Sequence, residues 1–287
     1  MDTALALRRA ADAGQLPPPS EVGALLRQSP LVSRLTASFE PKPTYAVWRL
    51  VALAEIPGTG QLPYTQALLR YIEQNMVCEW GFSLDGTAGY FLPCYGAMLL
   101  EAYCKLGLAH RAAAQNTLAR LKRYQRLERG TPTLWEGKGI QKYGGCLKST
   151  PCFIGVAKSV KAAAHYCHAT AHADKEAEAF VERGMAYILQ HRLYQRLSSK
   201  EPINGHILDI AFPASYQLNI VELLELCLLT GRLGHPACAD ALAYVNSKRG
   251  PGGFWKTTHS YRGPGYVLFD PRGKPAEWAG HILSRCL

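Results

Sequence analysis

The sequence predicts an all-α fold, an α/α toroid of helical hairpins, from three observations. First, Gly and Pro punctuate the chain into pieces of helical period, and sustained period-two alternation is scarce. Second, five apolar segments each open just after a proline, at Pro43, Pro93, Pro151, Pro213 and Pro275. Proline suits a helix start, where the first amides have no intrahelical acceptor to lose. Third, these prolines recur every 50 to 62 residues, the length of two helices and a loop.

In chain order, an N-terminal pair is expected over 3–13 and 21–38, within a helical segment 1–40 that belongs to the same ring. The toroid proper is expected over 41–287. Its apolar helices span 45–56, 94–108, 152–167, 215–230 and 277–287. Amphipathic helices lie between them at 64–76, 110–126, 175–196 and 236–249, with Arg, Glu and Gln on one face. A nearly all-apolar helix needs cover on most sides, whereas an amphipathic one faces water. The arrangement that satisfies both has an inner apolar layer and an outer amphipathic layer.

The chain has 287 residues, 48% of them hydrophobic and 19% charged, enough for a substantial core. A net charge of +10 suits anionic partners, yet no Lys/Arg block of the nucleic-acid-arm kind occurs, so nucleic acid is not expected. The apolar stretch "IVELLELCLLTG" is broken by Glu222 and Glu225, and no segment reaches the length of a membrane span. Peripheral membrane contact stays open. The N-terminus lacks a secretory pattern, so a cytoplasmic, reducing location is expected. Nine cysteines there read as thiols or metal ligands rather than disulfides.

Aromatic residues close the loops after the outer helices, in "QNMVCEWGF", "YQRLERGTPTLW" and "NSKRGPGGFW". This resembles the degenerate Gln…Gly-x-Trp repeat of the squalene-hopene cyclase and protein prenyltransferase β-subunit superfamily, in particular its short prokaryotic squalene-cyclase-like members. The resemblance runs from about Pro43 to the C-terminus. It implies a toroid with a central cavity and a terpene-cyclase or prenyltransferase-like enzyme acting on a hydrophobic, isoprenoid substrate, such as a diphosphate. The Asp-x-Asp-Asp acid and the Asp-Asp-x-x-Asp motif of that chemistry are absent from the chain; Asp85, Asp209, Asp240 and Asp270 stand apart. Two alternatives are a non-catalytic toroid that binds or scaffolds, and a four-cysteine metal protein with thiol or redox chemistry.

In a hairpin repeat the inner helices run the same way, so their N-termini share one rim. Cys94 and Cys152 open equivalent helices there, and Cys78 and Cys146 lie in the loops leading into them. A helix N-terminus favours a thiolate. These four cysteines are therefore the expected metal ligands, for zinc or alternatively an iron–sulfur cluster. The other five fall inside helical patterns and read as small core residues. The same rim carries His206, Asp209 and Tyr216 as candidate catalytic groups. Trp135, Lys142, Lys148, Asn219 and Arg262 are candidate substrate-binding groups, and Lys138 and His259 lie in the same loops. Trp80 and Trp255 read as plugs of the hairpins.

Overall fold

The computed structural model describes residues 2–132 and 150–287. Twelve α-helices account for most of the ordered secondary structure among them. The N-terminal helices are α1 (Thr3–Asp12), α2 (Pro19–Gln28) and α3 (Pro30–Thr36). The expected helix 21–38 is thus two helices. Ser29 separates them: its hydroxyl accepts from the Val32 amide at 3.1 Å, capping the second helix just before Pro30.

The apolar helices are α4 (Pro43–Ala54), α6 (Pro93–Lys105), α8 (Phe153–Ala169), α10 (Ile220–Leu229) and α12 (Glu277–Cys286). The amphipathic ones are α5 (Pro63–Asn75), α7 (Ala112–Tyr124), α9 (Lys175–Gln190) and α11 (Ala239–Ser247). In α4 every residue from Tyr45 to Ala54 is buried, and α8 is buried along nearly its whole length. Helix α9 instead buries one stripe, with Ala177, Phe180, Val181, Gly184 and Ile188 facing inward. Gly184 lets α9 close on α8, since a Cβ there would meet Val160 Cγ2 at 2.2 Å. The strands are two residues each, β1 (Val77–Cys78) and β2 (Gly81–Phe82), paired antiparallel. Gly81, at φ +103°, lies where a Cβ would meet Thr117 Oγ1 of α7 at 2.0 Å.

One helix start departs from the proline rule, and the last is braced by a carboxylate. The segment after Pro213 stays irregular until Asn219, whose side chain accepts from the Glu222 amide and caps α10. The final helix starts after Ala276, and both carboxylate oxygens of buried Asp270 collect amides from Glu277, Trp278 and Ala279.

Neighbouring inner helices pack in the order α4, α6, α8, α10, α12; α1 packs on α12 and α3 on α4. Both the starts and the ends of the inner helices meet. Near the starts, Trp48 of α4 touches Tyr95 of α6, and Tyr95 stacks on Tyr216 just before α10. Near the ends, a closed circuit of alternating charges joins five helices. Arg8 of α1 pairs with Glu55, which follows α4 (2.7 Å), and Glu55 with Lys105 of α6 (2.7 Å). Lys105 and Lys161 of α8 both reach Glu101 Oε1, at 2.6 and 3.1 Å. Lys161 continues to Glu225 of α10 (2.7 Å), and Glu225 returns to Arg8 (3.1 Å). Asp12 extends the circuit to His281 and Arg285 of α12. Deeper along α8, Lys158 holds both oxygens of Glu222 at 2.7 Å and donates to the Ser215 carbonyl. Burial opposes the Glu225 carboxylate, but Lys161, Lys105 and Arg8 together hold it well below the usual carboxylate range. The interior between these buried helices, where the resemblance implies a central cavity, is therefore crossed by paired charges.

Trp255 fills the role expected of it: it is buried and its indole nitrogen donates to the Val245 carbonyl at 2.7 Å. Trp80 is half-buried beneath the Arg120 guanidinium, 3.7 Å from the ring centre. Among the described residues no helix is long and apolar enough to cross a membrane.

Candidate metal centre

Two loops on the rim of the inner-helix starts build the site. One runs from the end of α9 to α10, the other from α11 to α12. They are sewn together: the Thr258 amide donates to the Ile210 carbonyl, the Ile210 amide to the Thr258 hydroxyl, and the Phe269 amide to the Phe212 carbonyl. This lacing sets Asp209 between two histidines. Asn204 fixes the first turn by accepting from the His206 amide at 2.9 Å, and the Asp209 amide donates back to the His206 carbonyl. His206 Nδ1 then lies 2.8 Å from Asp209 Oδ2, and His259 Nδ1 lies 3.7 Å from the same oxygen. The imidazole centres are 4.3 Å apart.

A ligand atom from each of His206, Asp209 and His259 can be chosen so that all fall within 4.8 Å of one another. Ligand atoms of a tetrahedral zinc lie about 3.3 Å apart, so small rotations would gather them. Two imidazoles and one carboxylate suit zinc or iron(II) and leave positions for water or substrate. The Thr258 hydroxyl donates to Asp209 Oδ1 at 3.1 Å, which orients the carboxylate and leaves Oδ2 toward the histidines. Burial lowers the His259 pKa, with His206 and Arg272 adding to the effect against Asp209. The ring is thus kept in the neutral form that a metal requires. All three groups keep partial access to solvent.

Beside the triad the same loops carry an aromatic group. Tyr261 and Tyr266 pack on each other (5.3 Å) and on Trp48 (5.2 and 6.3 Å), while Tyr216 stacks on Tyr95 at 5.8 Å. The Tyr266 hydroxyl donates to the Pro213 carbonyl at 2.8 Å.

The expected site residues divide accordingly. His206 and Asp209 come together, with His259 as the third member. Tyr216 belongs to the aromatic group. Asn219 is corrected from substrate binding to a structural cap: it is buried, its carbonyl caps α10, and its amide donates to Ala211 at 3.1 Å. Arg262 is exposed. Trp135, Lys138, Lys142, Cys146 and Lys148 lie outside the described residues.

The four-cysteine set is not assembled among the described residues, and Cys146 lies outside them. Among the described residues the triad is the one group of metal-ligand side chains that converges, and Cys78, Cys94 and Cys152 do not meet as three. Cys78 sits on β1, which packs on α5, beside Trp80, while Cys94 opens α6 and Cys152 caps α8. Burial, with Cys152 as a neighbour, pushes the Cys94 thiol up to about 12, the opposite of the activation expected from a helix start. Thr258 was not foreseen. His259 was placed on the rim but not joined to the His-x-x-Asp pair, because the link runs between loops 48 residues apart that only the lacing at Ile210 and Thr258 aligns.

No protein-family model, curated protein or solved structure matches the chain.

Proposed function

We propose that the chain is an α/α toroid and works as a metal-dependent enzyme at the rim formed by its inner-helix starts. His206, Asp209 and His259 hold the ion, in place of the four cysteines. The substrate has an apolar body, of isoprenoid type, that lies against Trp48, Tyr95, Tyr216, Tyr261 and Tyr266. The observation that carries this reading is the convergence of two imidazoles and a braced carboxylate from separate loops. Closure of the ring is supported by the packing of α1 on α12 and by Arg8 bridging to Glu55 and Glu225. An ion at this place would polarise a substrate oxygen or lower the pKa of bound water toward about 7. The chain's own contribution is to keep His259 neutral, orient Asp209 through Thr258, and leave coordination positions open.

Titration of metal-free protein with Co2+, followed by its visible absorption, tests the reading. A single saturable site is expected, weakened roughly 10- to 100-fold or more by Asp209→Asn or His259→Ala and unchanged by Cys94→Ser. Binding that survives both triad changes, or that disappears in Cys94→Ser, would overturn it.

A further inference from the structure

A second concave region lies on the same rim, outside the triad and the aromatic group. It is formed where the C-terminal ends of α7 and α9 meet the start of α8. Two adjoining hollows share Tyr187. One, about 370 Å³, is lined by Lys122, Arg123, Arg126 and Arg183, with Glu128 as its acid. The other, about 450 Å³, is lined by Arg129, Arg196, His191 and the hydroxyl residues Thr150 and Ser198.

Lys122 is neutralised by Asp174 and Glu176. The five arginines are not: among the described residues none of them makes an ion pair with a carboxylate. Arg126 and Arg196 donate only to the backbone carbonyls of Pro132, Pro202 and Ile203, and Arg129 bonds the Tyr187 hydroxyl. Five guanidinium groups around one trough, with a single acid in its lining, form a local excess of positive charge that the described residues do not balance.

His191 adds an independent feature. It is 5% exposed, and its Nδ1 lies 2.8 Å from the Gln195 carbonyl. A carbonyl can only accept, so Nδ1 carries the proton and Nε2 carries the lone pair. That Nε2 is buried and has no hydrogen-bond partner among the described residues, with the rings of Phe153 and Tyr187 against the imidazole. Burial lowers the His191 pKa, so the acceptor persists at neutral pH.

We infer that this trough is a binding site for a small molecule bearing a diphosphate or two closely spaced phosphates, with a hydroxyl that donates to His191. Guanidinium forks match phosphate oxygens in pairs, and five of them exceed what one carboxylate would engage. The arginines converge into hollows of small-molecule size, which favours a compact ligand over a nucleic-acid strand tracking an extended face. The site stands independently of the metal reading.

Calorimetric titration of metal-free protein with inorganic pyrophosphate tests the inference. Saturable binding is expected, weakened at least about tenfold in Arg123→Ala/Arg183→Ala and again in Arg129→Ala/Arg196→Ala. These arginines lie at the surface, so unchanged thermal unfolding of the variants will show that the fold is intact. Absence of saturable binding, or affinity unaltered in both variants, would overturn the inference. So would a single-stranded oligonucleotide that displaces pyrophosphate at lower concentration, which would make the trough a nucleic-acid surface. Because no metal is present, a failure here would not touch the triad, nor would a failed cobalt titration touch the trough.

Discussion

The two ends of the inner-helix layer use charge in opposite ways. Toward the helix ends, Arg8, Lys105 and Lys161 meet Glu55, Glu101 and Glu225, and each cation touches at least one carboxylate. Toward the helix starts, Lys158 still pairs with Glu222, but Asp209 faces two histidines, and Arg123, Arg126, Arg129, Arg183 and Arg196 pair with no carboxylate among the described residues. The first arrangement is self-sufficient: every partner comes from the chain, and what it determines is which helices sit together. The second is incomplete without something added. Polar groups that close on themselves hold a fold, and polar groups left short of a partner mark where a ligand belongs.

The sharpest way to break this comparison is to remove one member from each end. Lys161 is 1% exposed and serves Glu101, Glu225 and, at 3.9 Å, Glu222. Lys161→Met should strand those carboxylates in the interior and cost about 3–5 kcal/mol. That corresponds to a fall in Tm of order 10 °C. Asp209→Asn, at a partly exposed rim position, should leave Tm nearly unchanged while weakening cobalt binding roughly 10- to 100-fold or more. Thermal unfolding of the two variants side by side checks both halves. If Lys161→Met were as stable as the parent, the charged circuit would not organise the fold.

A smaller effect sharpens the same contrast through pH. His165 of α8 lies beside the circuit, its Nε2 3.6 Å from Glu101 and without a hydrogen-bond partner among the described residues. Burial, then the positive charges of Lys105 and Lys161, outweigh Glu101 and bring its pKa down to about 3. Its unfolded pKa is near 6.5, so between these values the unfolded chain binds the extra proton. Stability due to His165 is therefore complete above pH 6.5 and falls as the pH drops toward about 3, by up to roughly 1.4 kcal/mol per unit. The depressed carboxylates Glu101 and Glu225 act in the same direction, but only below their ordinary value of 4.5. Urea unfolding between pH 6.5 and 4.5 should thus slope in the parent and become shallower in His165→Gln, His191 and His259 keeping part of the slope. An unchanged slope would remove His165 from the account.

Much of this architecture was legible in the sequence, and the parts that were not share one cause. Proline spacing and helical period placed the inner and outer helices to within a few residues, because those signals are local. The charged circuit was visible only as isolated letters. Glu101 and Lys105, Lys158, Lys161 and His165, and Glu222 and Glu225 each recur at three or four residues, so each set lies on one face of its helix. Each set reads locally as an interruption of an apolar run, and Glu222 and Glu225 served only to exclude a membrane span. That the sets neutralise one another is a property of five helices meeting. The triad behaves alike: His206 and Asp209 are three apart and could be paired by eye, whereas His259 joins them only through the laced loops. Asn219 was misassigned because a buried helix cap and a ligand contact call for the same polar residue.

The least conspicuous test concerns the cysteines that first drew attention to the rim. Repeat-equivalent Pro-Cys starts suggested activated thiolates, since the helix dipole favours an anion within its first turn. The dipole contributes about 1 kcal/mol in such settings, whereas removing a thiolate from water costs several times more. At Cys94 burial therefore prevails, and the thiol rises to about 12. Its thiolate fraction near pH 8 is then minute, although the greater intrinsic nucleophilicity of a basic thiolate offsets part of the loss. Alkylation of Cys94 by iodoacetamide in folded protein should run roughly one to two orders of magnitude slower than that of an unfolded cysteine. Peptide mass spectrometry over a time course would measure it. Slow labelling that accelerates only on unfolding would place Cys94 with the self-sufficient part of the molecule, despite its position on the rim. Fast labelling in the folded chain would return the helix starts to the list of reactive groups and would blur the division between the two ends.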